Sequence, residues 1–96
     1  MVYHDFYHVL LACFSQPVEL ITGIRKIRFT LYVEEQKLFV LNSKNKTSRI
    51  SAKETAAFIQ RYKETGSLQP KSYQDVTFKS SYLLAALQYL SERNKV

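Results

Sequence analysis

The chain has few of the residues that build tight turns, cross-links and reactive sites. Its 96 residues include 2 glycines, 2 prolines, 1 cysteine and no tryptophan. A single cysteine excludes a disulfide framework within the chain and favours a reducing compartment. The glycines, Gly23 and Gly66, are too far apart to form a glycine-rich phosphate loop. Cys13 lies between Ala12 and Phe14, which favours an inert, buried thiol over a reactive one.

Long apolar runs are also missing. No run approaches the roughly 20 apolar residues that a membrane-spanning helix requires. Residues 1–5 lack the basic start of a secretory signal, so we expect a cytoplasmic protein without membrane association. The length predicts one domain over residues 1–96. A hydrophobic fraction of 46%, with 7 tyrosines and 6 phenylalanines, predicts a packed core rather than disorder.

Acidic residues are scarce: 8 Asp and Glu stand against 14 Lys and Arg, which gives a net charge of +6. The excess is concentrated in residues 25–53, which hold 8 basic and 2 acidic residues. Such a concentration of positive charge favours an anionic partner, most often nucleic acid. The alternative is that the charge only keeps a soluble domain dispersed.

The N-terminal part of the chain is predicted to be helical. Residues 3–14 repeat apolar side chains at the spacing of a helix. Pro17 ends this helix, because the residue before a proline avoids the helical region. Residues 18–22 fit either a second short helix, with the proline in its first turn, or a short strand that ends at Gly23. The helix is the preferred prediction.

A β-hairpin is predicted next. Alternating apolar and polar residues predict strands over 24–33 and 37–42, joined by a turn at residues 35–36. In this register Tyr32 lies opposite Phe39. One sheet face then carries Ile27, Phe29, Leu31, Val33, Leu38 and Val40, and the other carries Lys26, Arg28, Thr30, Tyr32, Phe39 and Leu41. The turn lacks the Asn-Gly signature of a tight hairpin, so a longer loop with a shifted register is the alternative.

The segment after the hairpin is predicted to hold a candidate third strand and a helix. A polar turn, with Asn45 as its left-handed residue, precedes the candidate strand at residues 48–50. The helix begins with a capping box of Ser51 and Glu54. In a capping box, the side chain of each residue accepts a hydrogen bond from the backbone amide of the other. Gly66 is a fitting end for this helix.

Residues 81–90 form the most apolar of the predicted helices. Gln88 is the one polar residue inside the run, and either Ser80 or Ser81 is expected to cap the start. The connection before this helix, residues 67–79, is irregular. It is expected to pack on the core through Pro70, Tyr73, Val76 and Phe78.

The predicted architecture is α+β. A small antiparallel sheet, made of the hairpin and the candidate third strand, packs with an N-terminal helix and two C-terminal helices. Two of these helices are apolar on nearly all sides, and a small sheet offers little core to bury them. A second copy of the chain is the simplest cover, so we expect a homodimer with Tyr82, Leu84 and Tyr89 at its interface. The alternative is that the helices cover each other and the sheet within one chain.

The basic segment leads to the functional prediction, a non-enzymatic protein that binds nucleic acid. Basic residues beside paired aromatic residues can neutralise phosphates and stack on bases. The candidate contacts are Arg28, Tyr32, Phe39, Lys44, Lys46, Arg49 and Lys53. If an apolar helix covers the aromatic residues, only the loop lysines are left for binding. The alternative function is a homo-oligomeric protein-interaction or small-ligand-binding module with no role in nucleic-acid binding.

Signals for catalysis and metal binding are weak. The 8 carboxylates are scattered, and no nucleophile with an adjacent base and orienting acid stands out. His4 and His8 are one helical turn apart and could converge on one ion. A zinc site needs a third protein ligand, however, and the sequence has no further histidine. We therefore predict no metal, no cofactor and no enzymatic activity.

Overall fold

An N-terminal helix, a four-stranded antiparallel sheet and two C-terminal helices make up the fold in a computed structural model, which describes residues 5–23 and 25–93. The elements in chain order are α1 (Phe6–Cys13), β1 (Val18–Ile21), β2 (Arg28–Glu34), β3 (Lys37–Leu41), β4 (Thr47–Ile50), α2 (Ala52–Thr65), a short 3₁₀ helix (Pro70–Tyr73) and α3 (Ser80–Glu92). This order confirms the predicted α+β architecture, with one more strand than the sequence predicts. None of the helices in the described ranges combines the length and apolarity that crossing a bilayer requires.

The sheet runs in the order β1-β2-β3-β4, and each strand is antiparallel to the next. The predicted hairpin register is confirmed, since Tyr32 lies opposite Phe39. The connecting turn has two residues, Glu35 and Gln36, and their φ angles of 52° and 61° are both in the left-handed region. A tight two-residue hairpin turn therefore forms without the glycine that such turns favour.

Strand β1 replaces the helix predicted for residues 18–22, and that prediction is wrong. The strand alternates as a half-buried edge does, with Leu20 buried and Glu19 exposed. Pairing with β2 satisfies backbone groups that a five-residue helix would leave without partners, and this long-range gain decides the conformation. The next strand is also shorter than predicted. It begins at Arg28, because Lys26 has a φ of 56° and belongs to the β1–β2 loop.

The core lies between the helices and one face of the sheet. Its most deeply buried members, each 3% exposed or less, come from every layer and include Phe6, Leu10, Phe14, Phe29, Leu31, Leu38, Val40, Ile50, Phe58, Leu83, Leu87 and Leu90. The C-terminal helix α3 is covered within the chain along most of its length, and its exposed residues are Gln88 and the last two, Ser91 and Glu92. Each fully buried leucine or phenylalanine contributes about 1.5–3 kcal/mol, so this layer dominates the stability.

The predicted capping box at the start of α2 is confirmed and has a second role. The Ser51 hydroxyl accepts a hydrogen bond from the Glu54 amide at 3.1 Å, and Glu54 Oε1 accepts one from the Ser51 amide at 3.2 Å. The other carboxylate oxygen accepts a bond from the Thr77 hydroxyl at 2.9 Å and lies 3.3 Å from Lys79 Nζ. Glu54 thus ties the start of α2 to the start of α3. The predicted end of α2 is also confirmed, with Gly66 at a φ of 64°.

A buried tyrosine and an Arg61–Asp75 ion pair also hold the connection between α2 and α3. Tyr73 is fully buried, and its hydroxyl donates a hydrogen bond to the Ser67 carbonyl at 2.6 Å. Arg61 of α2 donates two hydrogen bonds to the Asp75 carboxylate, at 3.0 and 2.9 Å. These bonds hold the pKa of Asp75 below its usual value. The connection is therefore ordered by specific contacts although most of it is irregular.

Two predictions near the start of α3 are wrong. Phe78 is 95% exposed and does not pack on the core. Neither Ser80 nor Ser81 caps the helix, because Lys79 occupies the cap position without a side-chain cap bond. The Ser80 hydroxyl instead donates a hydrogen bond to the Pro70 carbonyl at 3.2 Å. That bond joins the 3₁₀ helix to α3.

Candidate nucleic-acid interface

The sheet face that points away from the core is the candidate site. Side chains alternate along each strand, so residues between the buried ones lie on this second face. Across the strands, Tyr32 lies opposite Phe39, and Phe39 lies opposite Arg49. We call this surface the outer face; its members are Glu19, Ile21, Arg28, Thr30, Tyr32, Glu34, Lys37, Phe39, Leu41, Thr47 and Arg49.

Two stacked aromatic rings form the centre of the outer face. The ring centroids of Tyr32 and Phe39 are 5.5 Å apart, and the ring planes differ by 19°. Both residues are half-buried, whereas the adjacent core-side residues Leu31 and Val40 are 0% and 1% exposed. The buried side chains of the sheet lie on the opposite face, with the helices. The two rings therefore retain surface on which a planar group can stack.

Arginines flank the aromatic pair. Arg49 of β4 is exposed and lies directly opposite Phe39, next to the ring pair. Arg28 lies on the same face of β2, four residues before Tyr32, or about 13 Å along the strand. In the described ranges no carboxylate forms an ion pair with Arg28 or Arg49. Both guanidinium groups are therefore available to an external anion.

Two lysines extend this positive charge into the β3–β4 loop. The Asn42 side-chain oxygen accepts hydrogen bonds from the backbone amides of Lys44 at 2.9 Å and Lys46 at 3.0 Å. Asn45 adopts the predicted left-handed conformation, with a φ of 62°. Both lysines are exposed. The loop follows the end of β3 and shares a shallow depression with Arg28, so these cations lie at one end of the outer face.

Lys53 is separated from the other predicted contacts. It lies in the first turn of α2, which follows the opposite end of β4 from the Lys44–Lys46 loop. Helix α2 packs against α1 and α3 rather than on the outer face. The structure therefore brings together Tyr32, Phe39 and Arg49, with Arg28, Lys44 and Lys46 at one end, and leaves Lys53 apart.

Carboxylates limit the positive charge of the outer face. Glu19 lies in the same cross-strand row as Thr30, and Glu34 lies opposite Lys37. The acidic Glu19 also lines the depression that Arg28 shares with the loop. An anion therefore meets separate cations at Arg49, Arg28 and the loop, rather than a uniformly positive surface.

The strand assignment of β1 is what sequence reasoning missed on this surface. As a strand, β1 adds Glu19 and an exposed Ile21 to the outer face. The available signal was the apolar, period-two pair of Val18 and Leu20 between Pro17 and a glycine. That signal spans three residues, which is too short to exclude a helix on pattern alone.

The residues predicted for a dimer interface make contacts inside one chain. The ring centroids of Tyr82 and Phe29 are 4.7 Å apart, and those of Tyr89 and Phe14 are 5.6 Å apart. Leu84 is 9% exposed. A homodimer through Tyr82, Leu84 and Tyr89 stays a prediction. In such a dimer the second copy would contact only the parts of these side chains that the internal contacts leave exposed.

The histidine pair falls partly outside the described residues, because His4 is not among them. His8 Nδ1 lies 3.5 Å from the Asp5 carboxylate, and both side chains are exposed. Among residues 5–23 and 25–93, no three potential metal ligands come together.

Comparison with known proteins adds no further assignment. No protein-family model, no curated protein and no solved structure matches this chain.

Proposed function

We propose that this protein is a non-enzymatic nucleic-acid-binding module that takes single strands on the outer face of its sheet. The observation that supports the proposal is the stacked pair of Tyr32 and Phe39 beside Arg49, on the sheet face that lies away from the core. Unpaired bases stack on such rings, while arginine and lysine neutralise the phosphates. The location proposed for this activity is the cytoplasm, which suits a chain with one cysteine.

The preference for single strands follows from the shape of the surface. The aromatic rings lie on the sheet, and a base can reach them only when it is not stacked within a duplex. Among residues 5–23 and 25–93, no helix lies on the outer face to enter a major groove. The scattered carboxylates, Glu19 and Glu34, reduce the electrostatic part of the affinity. Stacking should therefore contribute a large share of the binding free energy.

The test is a titration of labelled single- and double-stranded DNA and RNA, followed by fluorescence anisotropy at two salt concentrations. We expect single strands to bind more tightly than duplexes of the same sequence, and affinity to fall as salt rises. Base stacking contributes about 1–3 kcal/mol per base, so Tyr32→Ala combined with Phe39→Ala should weaken binding by about 5-fold to more than 100-fold. The absence of binding at low salt would reject the proposal.

Matched variants separate the site from general charge. Arg49→Gln removes a cation beside the rings and should weaken binding, whereas Lys63→Gln removes an exposed cation at the far end of α2 and should not. Lys53→Gln should resemble the Lys63 variant, because Lys53 lies away from the outer face. Equal losses for all three substitutions would mean that net charge, rather than this surface, drives binding.

Self-association is the second candidate function, and the exposed apolar residues favour it. Phe78 is 95% exposed and Leu68 is 64% exposed. Burial of these two apolar side chains is favourable, and a second copy of the chain could supply the cover. Sedimentation at micromolar concentration tests this. We expect a dimer that Phe78→Ser dissociates without unfolding, and a monomeric parent would reject this candidate.

A further inference from the structure

A cleft on the helix side of the molecule is separate from the proposed nucleic-acid site. Its volume is about 660 Å³, and its walls come from the β1–β2 loop, the chain around the 3₁₀ helix and one side of α3. This volume is within the range of about 300–1,000 Å³ that is usual for small-ligand sites. None of the outer-face residues lines the cleft.

Most of the cleft surface is apolar. On α3, Leu84 and Ala85 line it, with Ser81 and Gln88 one turn away on the same side of the helix. Leu68 lies at the opposite wall and is 64% exposed, so much of its apolar side chain is in contact with solvent. Burying such surface against a hydrocarbon or aromatic group is favourable.

Two cations stand at the cleft, on different walls. Arg25 comes from the β1–β2 loop and Lys71 from the 3₁₀ helix, and both are exposed. The residues that line the cleft include no aspartate or glutamate. In the described part of the chain neither cation forms an ion pair. The cleft thus combines an apolar floor with uncompensated positive charge.

We propose that this cleft binds a small apolar carboxylate, with its hydrocarbon or aromatic body on the Leu84–Ala85–Leu68 walls and its carboxylate toward Arg25 and Lys71. Arginine matches a carboxylate with two parallel hydrogen bonds, and lysine adds a point charge. The positive potential selects an anion, and the apolar floor selects the body attached to it. The proposal does not depend on nucleic-acid binding, because the two surfaces share no residue.

The test uses three probes of known chemistry: octanoate for an aliphatic body, 2-naphthoate for an aromatic body, and 1-octanol as an uncharged match to octanoate. Binding to the full chain is measured by calorimetry and by amide chemical shifts in NMR spectra. We expect saturable binding of at least one carboxylate, with shifts centred on residues 68–71 and on α3. Octanoate should bind more tightly than 1-octanol if the aliphatic body is preferred. No saturable binding of either carboxylate would overturn the proposal.

Variants locate the binding. The double substitution Arg25→Gln with Lys71→Gln should weaken carboxylate binding by roughly tenfold or more, because two charge-assisted contacts are lost. Both residues are exposed and unpaired, so this variant is expected to fold. Ala85→Phe should block the cleft. Lys53→Gln with Lys63→Gln, which removes two exposed cations away from the cleft, is the charge-matched control. Unchanged binding in the Arg25/Lys71 variant would overturn the assignment.

A further comparison keeps the two proposals distinct. The Tyr32→Ala, Phe39→Ala variant should bind the carboxylate as the parent does, since neither ring lines the cleft. The Arg25→Gln, Lys71→Gln variant should keep the preference for single strands over duplexes. Loss of carboxylate binding in the aromatic variant would contradict a separate cleft site.

Discussion

Glu54 is the side chain whose removal should show how the two C-terminal helices are joined. It accepts the Ser51 amide bond of the capping box, the Thr77 hydroxyl bond and the Lys79 ion pair. The carboxylate is 28% exposed and Lys79 is 26% exposed, so solvent screens the pair only in part. Glu54→Ala removes all of these contacts and leaves the buried Thr77 hydroxyl without its acceptor.

The expected cost follows from these contacts. The reciprocal cap bond contributes about 1 kcal/mol, and a hydrogen bond to a charged group contributes about 1.5–3 kcal/mol when it is buried. Partial exposure reduces the second figure, so we expect Glu54→Ala to destabilise the fold by about 2–3 kcal/mol. For a chain of this length the corresponding fall in Tm is roughly 10–20 °C. Chemical denaturation followed by circular dichroism measures the free energy of unfolding directly.

The pH dependence gives a second, sharper readout of the same residue. Partial burial by itself would raise the pKa of Glu54, but the bonds from Thr77, the Ser51 amide and Lys79 outweigh it and hold the pKa below its ordinary value of 4.5. A carboxyl whose pKa is lower in the folded state stabilises the fold above the unfolded value. This contribution is lost as the pH falls from about 4.5 through the folded value. The stability difference between the parent and Glu54→Gln should therefore be present at pH 7 and shrink at pH 3.

The control is Glu64→Gln, on the last turn of the same helix. Glu64 is 59% exposed and lies 4.0 Å from Arg61, so its removal should change stability by less than about 0.5 kcal/mol. Equal effects of Glu54→Ala and Glu64→Gln would refute the reasoning. So would a difference between the parent and Glu54→Gln that stays constant from pH 7 to pH 3.

Two further substitutions test the beginning and the middle of the α2–α3 connection. Gly66→Ala should destabilise the fold by about 1 kcal/mol, because Gly66 has a φ of 64° although the space around it is open. Gly23→Ala is the control: Gly23 also lies in open space but has no positive φ, so its substitution should change the stability little. Equal shifts in Tm for the two variants would contradict this account. Tyr73→Phe should lower the free energy of unfolding, measured by denaturant titration, by about 1 kcal/mol, because it removes the 2.6 Å hydrogen bond to the Ser67 carbonyl. Amide exchange across residues 67–79 should also become faster. An unchanged denaturation midpoint would mean that the hydroxyl bond adds nothing to stability.

Local signals in the sequence predicted local structure well. The capping box at Ser51, the helix end at Gly66 and the left-handed Asn45 each depend on interactions within about four residues, and each is confirmed. The hairpin register followed from alternation over two neighbouring strands. These features are encoded where they occur, so pattern and propensity are sufficient to find them.

Long-range packing decided the features that the sequence did not predict. The local pattern of residues 18–22 fits a helix as well as a strand, and the pairing with β2 selects the strand. Phenylalanine is usually buried in a core, yet the side chain of Phe78 is exposed where the chain enters α3. The outer face depended on which side of the sheet the helices cover, and no local pattern contains that choice. The sequence therefore predicted that Tyr32 and Phe39 share one face of the sheet, but not whether a helix covers that face.

Substitutions in the hairpin turn at residues 35–36 should stabilise the fold, and they test whether local conformational preference limits the stability of this turn. Glu35 and Gln36 have φ angles of 52° and 61°, a conformation that is unfavourable for residues with a Cβ and that Asn-Gly adopts readily. Glu35→Asn with Gln36→Gly should therefore stabilise the fold by about 1 kcal/mol or more, measured by chemical denaturation. The control, Glu35→Ala with Gln36→Ala, changes the same side chains without relieving the backbone and should bring no gain. If both double variants stabilise equally, the gain comes from the lost charge; if neither does, the turn is not under the conformational cost that its φ angles imply.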